Sequence, residues 1–133
     1  MIEAPPIRCG ILGAGWWATF AHIPALKSHP GAELIAVQSR DRSKAEAIAR
    51  DFGAQHACTG VEELLAVPGL EAVIVSSTPN VHYLQAKAAL ERGLHVLIEK
   101  PMTFTAAEAR ELVELAAEKG VQLLISCPWH FTA

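Results

Sequence analysis

The stretch that most constrains this chain runs from Ile7 to His22, IRCGILGAGWWATFAH. A short apolar run, Ile7 to Leu12, leads directly into Gly13-Ala14-Gly15-Trp16-Trp17-Ala18. This is G-x-G-x-x-A, and each small position has a physical purpose. Gly13 permits a tight turn as the strand ends. Gly15 removes a side chain where a pyrophosphate must touch backbone. Ala18 keeps the third position small, so that the next helix packs closely on the strand. That helix aims its free N–H groups and the positive end of its dipole at the phosphates. Alone the pattern is weak evidence. After an apolar strand, before a helix, and in a chain that keeps alternating the two, it points to a dinucleotide-binding α/β fold.

The alternation is read from local signals. Strand one covers Ile7 to Leu12. A helix follows from about Trp16 to Ser28, with a bend or break expected near His22–Pro24, because proline removes one helical hydrogen bond. His29-Pro30-Gly31 is a turn, and Glu33 to Gln38 is strand two. Ser43 to Phe52 is an amphipathic helix capped by Ser43 or Asp41 and stopped by Gly53. A short third strand is expected around Gln55 to Ala57. Thr59 can cap a short helix, Val61 to Ala66, with Glu62 in its acidic first turn. Pro68-Gly69 is a turn. Ala72 to Ser76 is strand four, with the unbroken apolar run of a parallel sheet. A helix from about Val81 to Arg92 ends at Gly93, and Leu94 to Ile98 is strand five. Thr105 caps a helix reaching Lys119, with Glu108 completing a capping box and Gly120 as the stop. Gln122 to Ser126 is strand six. Short loops between such elements require right-handed crossovers. The expectation is a doubly wound parallel sheet, a Rossmann fold of strand order 3-2-1-4-5-6, as a single domain over residues 1–133.

Composition excludes several other classes. At 133 residues, 51% hydrophobic and 19% charged, the chain has enough length and apolar content for a globular core. A net charge of −3 argues against a nucleic-acid surface. No apolar run approaches the roughly 20 residues of a membrane helix, and Met1 to Gly10 lacks the pattern of a signal peptide. Six histidines show no metal-ligand spacing, and Cys9, Cys58 and Cys127 form no CxxC pair. Reduced thiols in a cytoplasmic protein are the plain reading, with no metal site.

In such a sheet, ligands bind beyond the carboxyl ends of the strands. Strand four ends in Ser76-Ser77-Thr78-Pro79-Asn80, followed by His82. Strand five ends in Glu99-Lys100-Pro101-Met102, and strand six in Cys127-Pro128-Trp129-His130. Taken alone, Lys100 is a strand-end lysine reaching for carbonyls, and Pro79 and Asn80 are turn formers. Trp16 and Trp17 are adjacent, so both rings cannot point inward. One belongs to the core; the other covers a diphosphate or faces a further domain. Trp129 and Phe131 look suited to a surface that these 133 residues do not contain. At the tip of strand two stands Ser39, with Arg40, Arg42 and Lys44 close behind. NAD sites usually place an acid there for the ribose hydroxyls. A serine with arginine suits a 2′-phosphate instead, favouring NADP. Asp41 could take the acidic role, in which case the cofactor is NAD.

Three patterns together, G-x-G-x-x-A with His22, Thr78-Pro79-Asn80-x-His82, and Gly93-x-His95-Val96-x-x-Glu99-Lys100-Pro101, resemble the glucose-fructose oxidoreductase / inositol dehydrogenase / MocA family of NAD(P)-dependent oxidoreductases. The resemblance covers nearly the whole chain and corresponds to the family's N-terminal, cofactor-binding half. It implies that Lys100 lies beside the nicotinamide and the substrate hydroxyl, holding the oxygen while hydride moves. It implies that Ser77, Thr78, Pro79 and Asn80 pass along the nicotinamide half of the cofactor. Glu99 either pairs with or orients Lys100, or simply faces solvent. Pro101 sets the strand tip, where a cis Lys100–Pro101 bond is an option. His82 lines the site or caps its helix, and His22 and His95 are packed, hydrogen-bonded side chains. The implied reaction is hydride transfer between the nicotinamide and a sugar, polyol or related hydroxyl or carbonyl compound. The intact enzyme is expected to take a small-molecule substrate, to be a homo-oligomer, and to engage neither nucleic acid nor membrane. The family's substrate domain is not in this chain, so binding without turnover is expected of it. The rival expectation is a non-catalytic dinucleotide sensor or co-regulator on the same scaffold.

Overall fold

A computed structural model describes residues 4–128. Six strands form one parallel sheet in the order β3-β2-β1-β4-β5-β6, as the alternation predicts. They are β1 (Ile7–Leu12), β2 (Ala32–Gln38), β3 (His56–Cys58), β4 (Ala72–Val75), β5 (His95–Glu99) and β6 (Leu123–Ser126). The connecting helices are α1 (Ile23–Ser28), preceded by a π turn (Ala18–His22), α2 (Arg42–Phe52), α3 (Val61–Leu65), α4 (Pro79–Glu91) and α5 (Ala106–Lys119). β1 is central, pairing Ile11 with Val37 of β2 and with Ile74 of β4.

The apolar strands bury both faces. On one face Leu12, Val73, Val75, Val96 and Ile98 pack under Leu64, Leu90 and Leu112 from α3, α4 and α5. On the other, Ile11, Leu34, Val37 and Ile74 meet Ala18, Ile23, Ile48 and Ala49. Ala18 is fully buried, which is why the third small position must be small.

Several local details differ from the expectations. No break occurs at Pro24. The helix runs on from residue 16 to residue 28, and the disturbance is a π turn in which Ile23 N–H bonds to Ala18 O. Pro24 falls in the first turn of α1, where a missing donor is tolerated. α2 is capped by Asp41, not Ser43. The short helix α3 is not capped by Thr59: Gly60 is the cap residue, and the Glu63 carboxylate accepts the backbone N–H groups of Thr59 and Gly60 at 2.8 and 3.2 Å. Glu62 turns outward to Arg92. α4 begins at Pro79, two residues before the expected start, because proline suits the first helical position. Pro79 and Asn80 are therefore a helical turn rather than a free loop.

Candidate functional site

The carboxyl ends of the strands carry two adjoining cavities of about 590 and 580 Å³ that share Ser76 and Ser77. The first is lined by Gly13, Gly15, Ser39, Arg40, Lys44, Thr78 and Asn80, among others. The second is lined by Trp16, Trp17, Pro79, His82, Glu99, Lys100 and Pro128. Residues from the tips of β1, β2, β4 and β5 thus converge on one edge of the sheet.

Gly13 answers two demands. Its φ is +81°, and an added Cβ would stand 2.4 Å from Ser77 Cα. The turn and the close approach of β1 to the tip of β4 both exclude a side chain. Around Gly15 an added Cβ would meet nothing nearer than Gly13 O at 4.0 Å. The space above it is open, as an approaching diphosphate needs. Gln38 buttresses the turn: its Oε1 accepts from Gly13 N–H at 3.0 Å, and its Nε2 donates to Thr59 O at 2.9 Å. Ser77 Oγ donates to Gln85 Oε1 at 2.5 Å. Ser76 Oγ is buried without a partner among the described residues. Since Ser76 lines both cavities, a polar ligand in the cleft can satisfy that hydroxyl, and the residues present fit a dinucleotide.

At the tip of β2 the basic residues divide. Arg40 and Lys44 line the first cavity. Arg42 turns away, donating to Thr59 Oγ1 at 3.3 Å and lying 3.8 and 3.9 Å from the Glu46 and Glu63 carboxylates. Asp41 is occupied as a cap. It accepts from Ser43 Oγ at 2.7 Å and from Lys44 N–H at 3.2 Å, and these two bonds hold its carboxyl below the ordinary range.

In the second cavity Lys100 is exposed, and its ammonium has no hydrogen-bond or ion-pair partner among the described residues. Glu99 neither pairs with that ammonium nor faces solvent. It is buried and accepts from Trp17 Nε1 and His22 Nε2, each at 2.7 Å, on Oε1. Its Oε2 accepts from the backbone N–H of Lys100 at 3.2 Å. Burial opposes its charge, but donors from Ser126, Trp17 and His22 outweigh that and set its ionisation below the ordinary value. The Lys100–Pro101 bond is cis. His82 is buried, with its ring nitrogens 2.8 Å from Pro101 O and 3.0 Å from Ser77 O, so it ties two strand tips together. His95 Nδ1 accepts from Gln122 N–H at the far end of the sheet, away from the cleft.

Trp16 is 72% exposed and stacks on the exposed Phe20, with centroids 5.2 Å apart. Trp17 is half-buried and turns its indole N–H to Glu99. The pair splits between surface and interior as two adjacent residues on a helix must. Trp129, His130 and Phe131 lie outside the described residues. Among the described residues no cluster of histidine, cysteine or carboxylate groups is placed to hold a metal.

Sequence reasoning placed Ser76 at the strand-four tip without a role, and missed Gln38 and Gln85. Gln38 had a signal: it is a polar residue closing an apolar strand, just before Ser39 and Arg40. Gln85 had none, since one polar residue on a helix is ordinary.

Residues 7–126 match the model of a family described as an oxidoreductase family with an NAD-binding Rossmann fold, GFO_IDH_MocA. The chain is 40% identical over 123 residues to a dTDP-3,4-didehydro-2,6-dideoxy-α-D-glucose 3-reductase of Streptomyces antibioticus, covering 92% of this chain and 37% of that protein. It is 35% identical over 119 residues to an NADP-dependent scyllo-inositol 2-dehydrogenase of Bacillus subtilis, covering 90% and 32%. A solved 3-ketoreductase from Actinomadura kijaniata, in complex with NADP, superposes with a TM-score of 0.88 at 32% identity, over 94% of this chain and 41% of its own. The chain spans about a third of the length of such curated relatives.

Proposed function

The chain belongs to the Gfo/Idh/MocA oxidoreductase family, and from that premise we propose that it is the cofactor-binding part of an NADP-preferring dehydrogenase or reductase. Its substrate class is a sugar, a polyol or a related hydroxyl or carbonyl compound, in keeping with the relatives' names. The observation that carries this is the paired cavity. One half has a glycine turn with Arg40 and Lys44 at its rim, and the other presents Lys100, whose ammonium has no partner among the described residues. A bound nicotinamide supplies the hydride acceptor or donor. With a nicotinamide bound, Lys100 would hold the substrate oxygen by its ammonium and, in the reduction direction, hand a proton to that oxygen as the carbon gains hydride; in oxidation the neutral amine would take the hydroxyl proton as the carbon loses hydride. A cation kept free in the cavity favours catalysis over sensing. The substrate-side groups are expected outside these 133 residues, and the intact enzyme is expected to be a homo-oligomer.

Among the described residues no helix is long and apolar enough to cross a membrane. We place the protein in the cytoplasm, where free thiols such as Cys9, Cys58 and Cys127 persist. Burial, and then the Glu71 charge, push the Cys9 thiol up to about 11, which keeps it unreactive.

NADP is favoured over NAD because Asp41 is held by its capping bonds while Arg40 stays free at the rim. Calorimetric titration of the chain with each cofactor, repeated on Arg40→Ala, tests this. One charge-assisted hydrogen bond contributes about 1.5–3 kcal/mol, or roughly ten- to hundredfold in affinity. NADP binds tighter by that order, and the substitution weakens NADP while sparing NAD. Tighter binding of NAD, or equal losses for both, overturns the preference.

A further inference from the structure

One carboxylate links the helix that follows the Gly13–Gly15 turn to the tip of β5. Glu99 closes β5 directly before Lys100. Its Oε1 faces the helix that follows the phosphate turn, through Trp17 and His22. Its Oε2 holds the backbone N–H of Lys100. That helix and the backbone of Lys100 therefore share one hydrogen-bonded carboxylate.

The π turn makes this contact geometrically possible. At 3.6 residues per turn, Trp17 and His22 would lie about 140° apart around the helix, and only one could reach Glu99. An i→i+5 turn over Ala18–His22 brings residues five apart to nearly the same side. The rings of Trp17 and His22 then meet edge to face, 6.4 Å between centroids at 90°, and both N–H groups end on one oxygen. Hydrogen bonds to an ionised acceptor are about twice as strong as neutral ones. They offset the poorer backbone geometry of a π turn, which in proteins is rare and concentrated at functional sites.

We propose that Trp17 and His22 are positioning residues that act through Glu99 to couple the phosphate turn to Lys100, so that a diphosphate seated over Gly13–Gly15 sets the place of the catalytic ammonium. This rests on the dinucleotide reading of the cleft. It goes beyond that reading by assigning the π turn and its two donors a role in the site.

The test uses the chain labelled with nitrogen-15 and ADP-ribose as the probe. ADP-ribose carries the adenosine and diphosphate but no nicotinamide, so a response at Lys100 must travel through the protein. In the unsubstituted chain, ADP-ribose shifts the amides of Gly15 and Ser39, and with them the Lys100 amide and the Trp17 indole N–H. In His22→Leu and Trp17→Phe, the Gly15 and Ser39 shifts persist while the Lys100 shift is lost. His22→Gln, which keeps an N–H donor near the same place, restores it. A merely structural role would disturb all these signals together and would not be rescued by glutamine. NADP affinity of His22→Leu falls roughly fivefold, the low end of coupling between sites. A Lys100 response that is absent in the unsubstituted chain, or undiminished in both variants, overturns the coupling alone. Absence of any shift at Gly15 and Ser39 overturns the dinucleotide reading and the coupling with it. Should His22→Leu lose its dispersed native spectrum, Trp17→Phe, which keeps a large ring, decides.

Discussion

Glu99 shows what a single residue contributes beyond its type. Read in sequence, it is an acid beside a lysine, and it either pairs with or orients that lysine or faces solvent. In the fold its donors come from residues 77 and 82 positions earlier. Local pattern could not reveal them, because they meet only when β1 and β5 stand on either side of β4. Glu99 ionises below the ordinary glutamate value, although burial alone would raise it. A carboxyl whose folded value is depressed stabilises the fold above its unfolded value, about 4.3 for glutamate. That contribution is lost as pH falls through the folded value. Several surface carboxylates, including Asp41, Glu63 and Glu111, are depressed as well, so overall stability falls in the same range. A local probe is therefore needed. Trp17 emission, taken as the difference between the chain and Trp17→Phe, is expected to step below about pH 4.3. In Glu99→Gln that step is absent. A step that persists in Glu99→Gln assigns the titration to another group.

At the scale of the element, the strongest local signals were read correctly. α5 has its capping box: Thr105 Oγ1 accepts from Glu108 N–H, and the Glu108 carboxylate accepts from Thr105 N–H, each at 3.2 Å. Gly120 closes it at φ +67°. Such groups act within one turn of helix, so residue order alone predicts them. Thr105→Ala is expected to cost about 1 kcal/mol, measured by urea unfolding, and to leave cofactor affinity unchanged. An effect below about 0.3 kcal/mol would assign the helix terminus to packing instead. The helix after the phosphate turn was read less well. Pro24 signalled a disturbance, but the sequence does not distinguish a bend from a π turn. The choice depends on where Trp17 and His22 find acceptors, and Glu99 supplies that acceptor from another strand.

The whole molecule is unevenly covered. α3, α4 and α5 pack against one face of the sheet, whereas α1 and α2 pack on the β1–β2–β3 side of the other. Beside α1, the face of β4–β6 keeps an open apolar cavity of about 420 Å³, lined by Cys9, Leu26, Ala72, Ile74, Leu97 and Leu124, among others. Leu124 is 57% exposed on the edge strand β6, and the Trp16–Phe20 stack is a second bare apolar area. Monomers seldom leave such patches open, and an unpaired edge strand invites association. Concentration-dependent self-association of the chain in sedimentation is expected. Leu124→Lys should reduce it while changing stability by less than about 0.5 kcal/mol, as at other exposed positions. A strict monomer at every concentration would overturn this expectation.

The sequence by itself determined the parallel sheet, its order and the phosphate turn. Those follow from period, caps and glycine placement, which act over a few residues, and from crossover handedness, which admits few topologies. It also placed Ser39 and Arg40 at the tip of β2 and Lys100 at the tip of β5, on one edge, because the carboxyl ends of parallel strands lie together. Only the tertiary structure decided which of the neighbouring charges are free. It turned Arg42 to Glu46 and Glu63, used Asp41 as a cap, and gave Glu99 to Trp17, His22 and the Lys100 backbone rather than to the Lys100 ammonium. A charged side chain pairs with whichever partner the packed elements bring within about 3 Å, and that distance is a property of the fold.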